Sequence, residues 1–145
     1  MQHYIDNDWR AKIARDYFAM TWNGPFGNGI KNGEDNIENL LKIIDETFHH
    51  DYTFTRPDGS IINSGTDKLK EILVKLTKPL INLLMTSFDI IAVNENENSV
   101  TFQSTAIADN KSTLERYTQY LRLTYVFKEK RVTRTIVHYH TNYEF

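Results

Sequence analysis

The sequence contains no cysteine. That absence excludes disulfides, thiolate metal sites and cysteine nucleophiles together. Proline is scarce, with 3 residues in 145, and no stretch rich in proline, glycine and serine divides the chain. A single domain spanning 1–145 is therefore expected. Long apolar runs are missing as well: the longest, Leu80 to Met85, falls far short of the roughly 20 residues that cross a bilayer. Lysine and arginine total 17 against 19 acidic residues, with no dense basic run, so no nucleic-acid footprint is present. The first residues, MQHYIDNDWR, place acids where an export signal needs a basic start and an apolar run. A soluble cytoplasmic protein is expected, and the Asn110-Lys111-Ser112 sequon carries no weight there. The phosphate-loop, dinucleotide, HExxH, GxSxG and EF-hand patterns are all absent.

What is present suffices for a packed core: 40% of residues are hydrophobic and 12% aromatic. Ile5, Trp9, Ile13, Tyr17 and Met20 recur at helical spacing, with Asp6 to Asp8 as capping candidates. The period then breaks over Thr21–Gly33, where TWNGPFGNGIKNG reads as a loop. Its Trp22, Phe26 and Ile30 are too apolar to lie free in solvent. Asp35 and Glu38 have capping-box spacing and open a second helix with the stripe Ile37, Leu40, Leu41, Ile44 and Phe48. Tyr52, Phe54 and Arg56 alternate on a short strand ending at Pro57-Asp58-Gly59, and Ile61-Ile62 returns from that turn. Gly65-Thr66 precedes a third helix carrying Leu69, Ile72, Leu73 and Leu76, closed by Pro79.

After Pro79 the hydrophobic period changes to two. Residues 80–93, 99–109, 113–128 and 131–143 read as four long strands with short polar links, which favours an antiparallel meander. The sum is an α+β domain, with three N-terminal helices packed on a strongly curved, mostly antiparallel sheet.

The last strand carries His138 and His140. Residues i and i+2 of a strand share a face, so both imidazoles should leave the sheet on one side. Three uses are open to them: metal binding, general acid/base work, and hydrogen bonding in a polar-lined cavity or interface. His49, His50 and Asp51 could add metal ligands, yet no spacing demands it, so neither a metal nor a cofactor is assigned. On 113–128, Gln119, Leu121, Leu123, Tyr125 and Phe127 form the more apolar set and should line the interior. On the last strand, Val132, Ile136, His138 and His140 oppose Val137, Tyr139 and Tyr143, and neither set is clearly the inner one. Large residues on both faces suggest a partner subunit, with Tyr120, Tyr139 and Tyr143 suited to an interface and a homodimer expected. Asp89 is the one carboxylate within an apolar strand; buried, it would need a partner such as Arg122.

The element order and length resemble the nuclear transport factor 2-like (cystatin-like cone) superfamily, which includes SnoaL-like polyketide cyclases, ketosteroid isomerases, scytalone dehydratase and the association domain of calcium/calmodulin-dependent kinase II. Arg56-Pro57-Asp58-Gly59-Ser60 through Asn63-Ser64-Gly65 is similar to the first hairpin of ketosteroid isomerases. Val137-His138-Tyr139-His140 resembles the VHFH that closes the kinase association domain. The resemblance implies a sheet curled around the helices, leaving a conical pocket open at one end.

On that basis Tyr17, Trp22, Tyr52, Phe54, Arg56, Gln119, Leu123 and Tyr125 are the candidate ligand-binding residues, with His138 and His140 as catalytic candidates. The resemblance also limits the chemistry. Arg56 stands where ketosteroid isomerases keep their catalytic aspartate, and an arginine is no base at neutral pH. Leu123 falls near their acidic hydrogen-bond donor. Arg56 could instead grip an anionic end of a ligand. Two functions stay open. One is a pocket for a small apolar or carboxylated ligand, with cofactor-free isomerase, dehydratase or cyclase chemistry at a histidine. The other is a non-catalytic association module acting through the sheet face.

Overall fold

The computed structural model describes residues 7–63 and 65–141. Ile5, Asp6, Ser64 and Tyr143, named above, lie outside the described residues. Helix α1 (Trp9–Asn23) leads to strand β1 (Ile30–Asn32) and a 3-10 turn (Glu34–Asn36). Helix α2 (Ile37–Thr47), the hairpin β2 (Phe48–Thr55) and β3 (Ile61–Ile62), and helix α3 (Asp67–Thr77) follow. Four long strands complete the chain: β4 (Leu80–Asn94), β5 (Ser99–Asn110), β6 (Arg116–Lys128) and β7 (Arg131–His140). They form one unclosed seven-stranded sheet in the order β1-β4-β5-β6-β7-β2-β3. The β4–β7 meander is antiparallel as expected, and β2 adds to β7 in parallel. Among the described residues no helix is long and apolar enough to cross a membrane.

Asp8 caps α1, its carboxylate accepting from the Arg10 backbone N–H at 2.8 Å. The expected capping box is not formed at α2, where Asn36 stands at the N-cap without a side-chain bond to the helix backbone. The fully buried side of α1 is Ala11, Ala14, Tyr17, Phe18, Thr21 and Trp22; Trp9, Ile13 and Met20 pack partly buried beside it. That face is displaced from the stripe the periodicity suggested, because Phe18, Thr21 and Trp22 face the sheet. Within the segment read as a loop, three residues pair with β4 (Ile30↔Leu83, Asn32↔Ile81). A strand this short leaves no periodic signal. Trp22 and Ile30 are buried there, whereas Phe26 is 89% exposed.

Helix α1 runs antiparallel to β6. Trp9 meets the Phe127 ring at 5.2 Å at one end, and Trp22 stacks on Tyr117 at 6.3 Å and 11° at the other. Between them Phe18, Phe48, Phe102 and Tyr125 interlock, with Tyr125 edge-on to Phe102 at 4.9 Å. Aromatic rings thus fill the middle of the cone.

Candidate functional site

The inner surface of the sheet comes from alternate residues of β5, β6 and β7. On β6 the inward set is Tyr117, Gln119, Leu121, Leu123, Tyr125 and Phe127, and on β5 it is Val100, Phe102, Ser104, Ala106 and Ala108. Ala106 lies opposite Gln119 and Ala108 opposite Tyr117. Large rings therefore give way to methyl groups at the Trp22 end.

Strand β7 breaks the alternation twice. Its register shifts between the Val126↔Arg134 and Phe127↔Val132 pairs, and again between Leu123↔Val137 and Arg122↔Tyr139. Each shift is a β-bulge that places an extra residue, Thr133 and then His138, on the strand. The residues sharing the inner face with β6 are consequently Val132, Thr135, Val137 and His140. His138 and His140 do not share a face. His138 is exposed on the outer face, where its Nε2 lies 2.7 Å from the Thr124 hydroxyl, itself 2.7 Å from the Thr101 hydroxyl. His140 pairs with Leu121, and its ring Nδ1 is buried. Both imidazoles are held below their ordinary pKa: His138 by partial burial and then the Arg122 charge, His140 by burial alone. Both are neutral at neutral pH.

A small cavity of about 30 Å³ lies within the aromatic core, walled by Tyr17, Thr21, Trp22, Phe48, Tyr52, Leu121, Leu123, Tyr125 and Thr135 among others. That is room for a water molecule or two, against the roughly 300–1,000 Å³ of a ligand pocket. The Tyr52 hydroxyl donates to Thr135 Oγ1 at 2.6 Å inside it. Burial drives the Tyr17 and Tyr52 phenols well above their ordinary range, so both stay protonated. Phe54 is fully buried beside Tyr52, their rings 6.2 Å apart.

Next to this cavity stands a group of polar atoms the packing does not satisfy. Gln119 is 0% exposed, and neither its amide nitrogen nor its amide oxygen has a hydrogen-bond partner among the described residues. The Trp22 indole N–H and the Tyr117 hydroxyl are buried and unpartnered in the same sense, and burial raises the Tyr117 phenol pKa. Trp22 stacks on Tyr117, and Tyr117 and Gln119 are i and i+2 on one strand, so the three form one cluster. His140 is the cross-strand neighbour of Leu121, diagonal to Gln119. Buried polar groups are nearly always paired, and an unpaired one costs about 1–3 kcal/mol.

Arg56 is not in this interior. It ends β2 at the turn, with its backbone N–H donating to Ser60 O at 2.8 Å and its Nη1 standing 3.4 Å from Ser60 Oγ. The turn bends the chain outward one residue after the last paired position, Thr55. The neighbouring Asp58 carboxyl is held below its ordinary pKa mainly by the Ser60 hydrogen bonds, with Arg56 contributing. An anion hook inside the cone is thus not built from Arg56. Asp89 is exposed, opposite Gln103 of β5. Sequence reasoning missed Tyr117 and Thr135. Tyr117 belongs to the same period-two set as Gln119 and was legible one step further along; Thr135 was hidden by the first bulge.

No protein-family model matches the sequence, and no curated protein matches it. Solved structures do match. An NTF2-like protein from Anabaena variabilis ATCC 29413 is similar at TM-score 0.66 and 20% identity, over 98% of this chain and 95% of that one. A protein described as a SnoaL-like polyketide cyclase, from Jannaschia sp. CCS1, is similar at TM-score 0.66 and 8% identity, over 91% and 85%. A protein with a ketosteroid isomerase-like fold from Catenulispora acidiphila DSM 44928, in complex with trimethylamine, is similar at TM-score 0.58 and 14% identity, over 88% and 85%. The architecture is that of the nuclear transport factor 2-like superfamily, three helices on a curled α+β sheet.

Proposed function

We propose that this domain binds a small, flat, largely apolar molecule at the Trp22 end of the cone, through a neutral polar end such as a carbonyl or hydroxyl. The observation that supports it most directly is the fully buried, unpartnered Gln119 amide, flanked by the Trp22 N–H and the Tyr117 hydroxyl. Together they offer two kinds of donor and an acceptor in a dry setting, which suits a ligand presenting both. Among the described residues no cationic side chain belongs to the cluster, so a carboxylated ligand fits less well than a carbonyl one. The residues opposite Gln119 and Tyr117 are only alanines, where Phe102 stands opposite Leu123, so a ligand enters this end by displacing side chains and not by filling a preformed pocket. Where the bound molecule is also turned over, His140 is the proton carrier. It shares the inner face and is neutral at neutral pH, as a general base must be. His138, on the outer face, has no part in that chemistry.

The test is a thermal-shift screen of small aromatic carbonyl and hydroxyl compounds against the wild type, Gln119→Leu and Trp22→Phe. A ligand at about 100 times its Kd stabilises by about 2.7 kcal/mol, a shift of several degrees. Saturable shifts in the wild type that shrink in both variants are expected, and any turnover should vanish in His140→Ala and survive in His138→Ala. Shifts indifferent to both cone variants would sink the proposal.

One observation favours association as a further role. Tyr139 is 51% exposed on the outer face, edge-on to Tyr120 at 5.2 Å, and together with Arg122 they line a shallow depression of about 460 Å³. A homodimer through this face predicts that Tyr139→Glu shifts the sedimentation of the wild type toward the monomer. A wild type that is already monomeric at high concentration removes that role.

A further inference from the structure

A second cluster stands apart from the polar end of the cone, where α2 passes into β2. Strand β2 loses its register with β7 between Phe48 and Thr53. In that irregular stretch His49, His50 and Asp51 each offer one ligand atom, all within 4.8 Å of one another. Regular alternation would send neighbours such as His49 and His50 to opposite faces. Here their rings stack instead, centroids 4.2 Å apart. His50 Nε2 lies 3.4 Å from Asp51 Oδ1, and His49 Nδ1 lies 3.8 Å from Asp51 Oδ2. Ligands about 2.0–2.1 Å from a tetrahedral ion stand roughly 3.3 Å apart; the two His–Asp separations are already close to that, while the widest separation in the set, up to 4.8 Å, must close through rotation of the exposed His50 and Asp51 side chains.

The surroundings of His49 supply an independent observation. The Asp51 backbone N–H donates to His49 Nδ1 at 3.1 Å, which leaves the lone pair on Nδ1 and the proton on Nε2. Nε2 faces the carboxylate of Glu129, 3.7 Å away on the β6–β7 turn. A metal-bound histidine commonly donates its other ring N–H to a carboxylate in this way. The ring is 4% exposed and so held in orientation, while His50 and Asp51 are open to solvent. Among the described residues neither Asp51 nor Glu129 pairs with lysine or arginine; the ammonium of the adjacent Lys130 sits 5.6 Å over the Trp9 ring.

We propose that His49 Nδ1, His50 Nε2 and the Asp51 carboxylate form a binding site for a divalent ion of the zinc class, with Glu129 as the positioning residue for His49. Two imidazoles and one carboxylate suit zinc over magnesium or calcium, which take all-oxygen sites. Binding exchanges the Asp51 N–H···Nδ1 bond for a metal bond and leaves a position for water, as in an open three-ligand site. The ion would fasten the irregular stretch whose flanking residues, Phe48 and Tyr52, wall the cavity.

The experiment is calorimetric titration of the full chain with zinc alone. One zinc per chain is expected, with affinity falling at least about 10-fold in His50→Ala and in Asp51→Ala, and about 10–100-fold in Glu129→Gln. His50 and Asp51 are exposed, so both variants should fold, which far-ultraviolet circular dichroism checks. His3→Ala and His138→Ala should bind as the wild type does. No saturable uptake at millimolar zinc, or uptake that persists in His50→Ala and Asp51→Ala, would overturn the site. Uptake lost in His3→Ala would overturn it equally, and an unchanged Glu129→Gln would overturn the positioning role.

Discussion

Replacing Gln119 by methionine should make the ligand-free protein more stable. Gln119 is fully buried, pairs across β5 with Ala106, and has an amide whose two polar atoms find no partner among the described residues. Burying such a group costs about 1–3 kcal/mol relative to one that is hydrogen-bonded. Methionine has the same chain length and a similar volume, so it removes that cost without opening a cavity or forcing a clash. The expected gain is about 1–2 kcal/mol. For a domain of this size each kcal/mol moves the melting temperature by roughly 3–5 °C, so a rise of about 3–10 °C should be seen by scanning calorimetry without ligand. The same substitution removes the central group of the proposed ligand site, so ligand-induced shifts should shrink as intrinsic stability rises, the trade expected where a site is kept strained for function. A Gln119→Ala control should instead lose stability, because truncation leaves a void. If Gln119→Met is destabilised by about 1 kcal/mol or more, the amide is satisfied in solution, for instance by an ordered water, and the functional argument loses its main support.

Two further outcomes follow from close backbone contacts and from histidine burial. A Cβ at Gly33 would stand 2.0 Å from the Thr77 carbonyl oxygen and 3.0 Å from that of Leu80, while the Gly33 N–H donates to Leu80 O at 2.8 Å. Gly33→Ala must therefore separate β1 from the α3–β4 junction, at about 2–4 kcal/mol by urea titration, and a loss within about 0.5 kcal/mol would contradict that packing. His138 and His140 both have folded pKa values below the ordinary 6.5. The unfolded chain then binds more protons, so they contribute a stability loss that begins as pH falls through 6.5 and levels off below their folded values. The urea midpoint should drop between about pH 7.5 and about pH 5.5, and the double variant His138→Gln/His140→Gln should flatten the dependence. An equally steep dependence in that variant would assign the effect to other groups.

The fold was legible wherever one period ran long enough to dominate. Four strands after Pro79, three helices before it and the α+β class all follow from such runs. The inner set of β6 was legible for the same reason: the five alternate positions from Gln119 to Phe127 meet no bulge against β5. Short elements left no such trace. β1 has three residues inside a glycine-rich stretch, and its pairing with β4 brings Gly29 so close to the Leu83 carbonyl that a Cβ would meet it, which no local pattern announces. Arg56 was misplaced because alternation carries a side chain inward only while the strand lasts, and the strand stops at Thr55. The buried face of α1 was displaced because packing against the sheet recruited Phe18 and Trp22 over the more regular Ile13 and Met20.

The histidine pair shows the limit most sharply and also what the structure gains from it. Strict alternation would set Val132, Arg134, Ile136, His138 and His140 on one face. Two bulges replace that set with Val132, Thr135, Val137 and His140. Each bulge bends the strand and increases its twist, which is what a sheet needs in order to curl around helices. The same insertions decide chemistry. The first places Thr135 where it accepts the Tyr52 hydroxyl in the core. The second sends His138 outward to Thr124 and returns His140 to the face shared with Gln119 and Leu121. A sequence motif of two histidines separated by one residue therefore carries two different environments, and of the two only His140 shares the inner face with the unpartnered amide on which the proposed site rests.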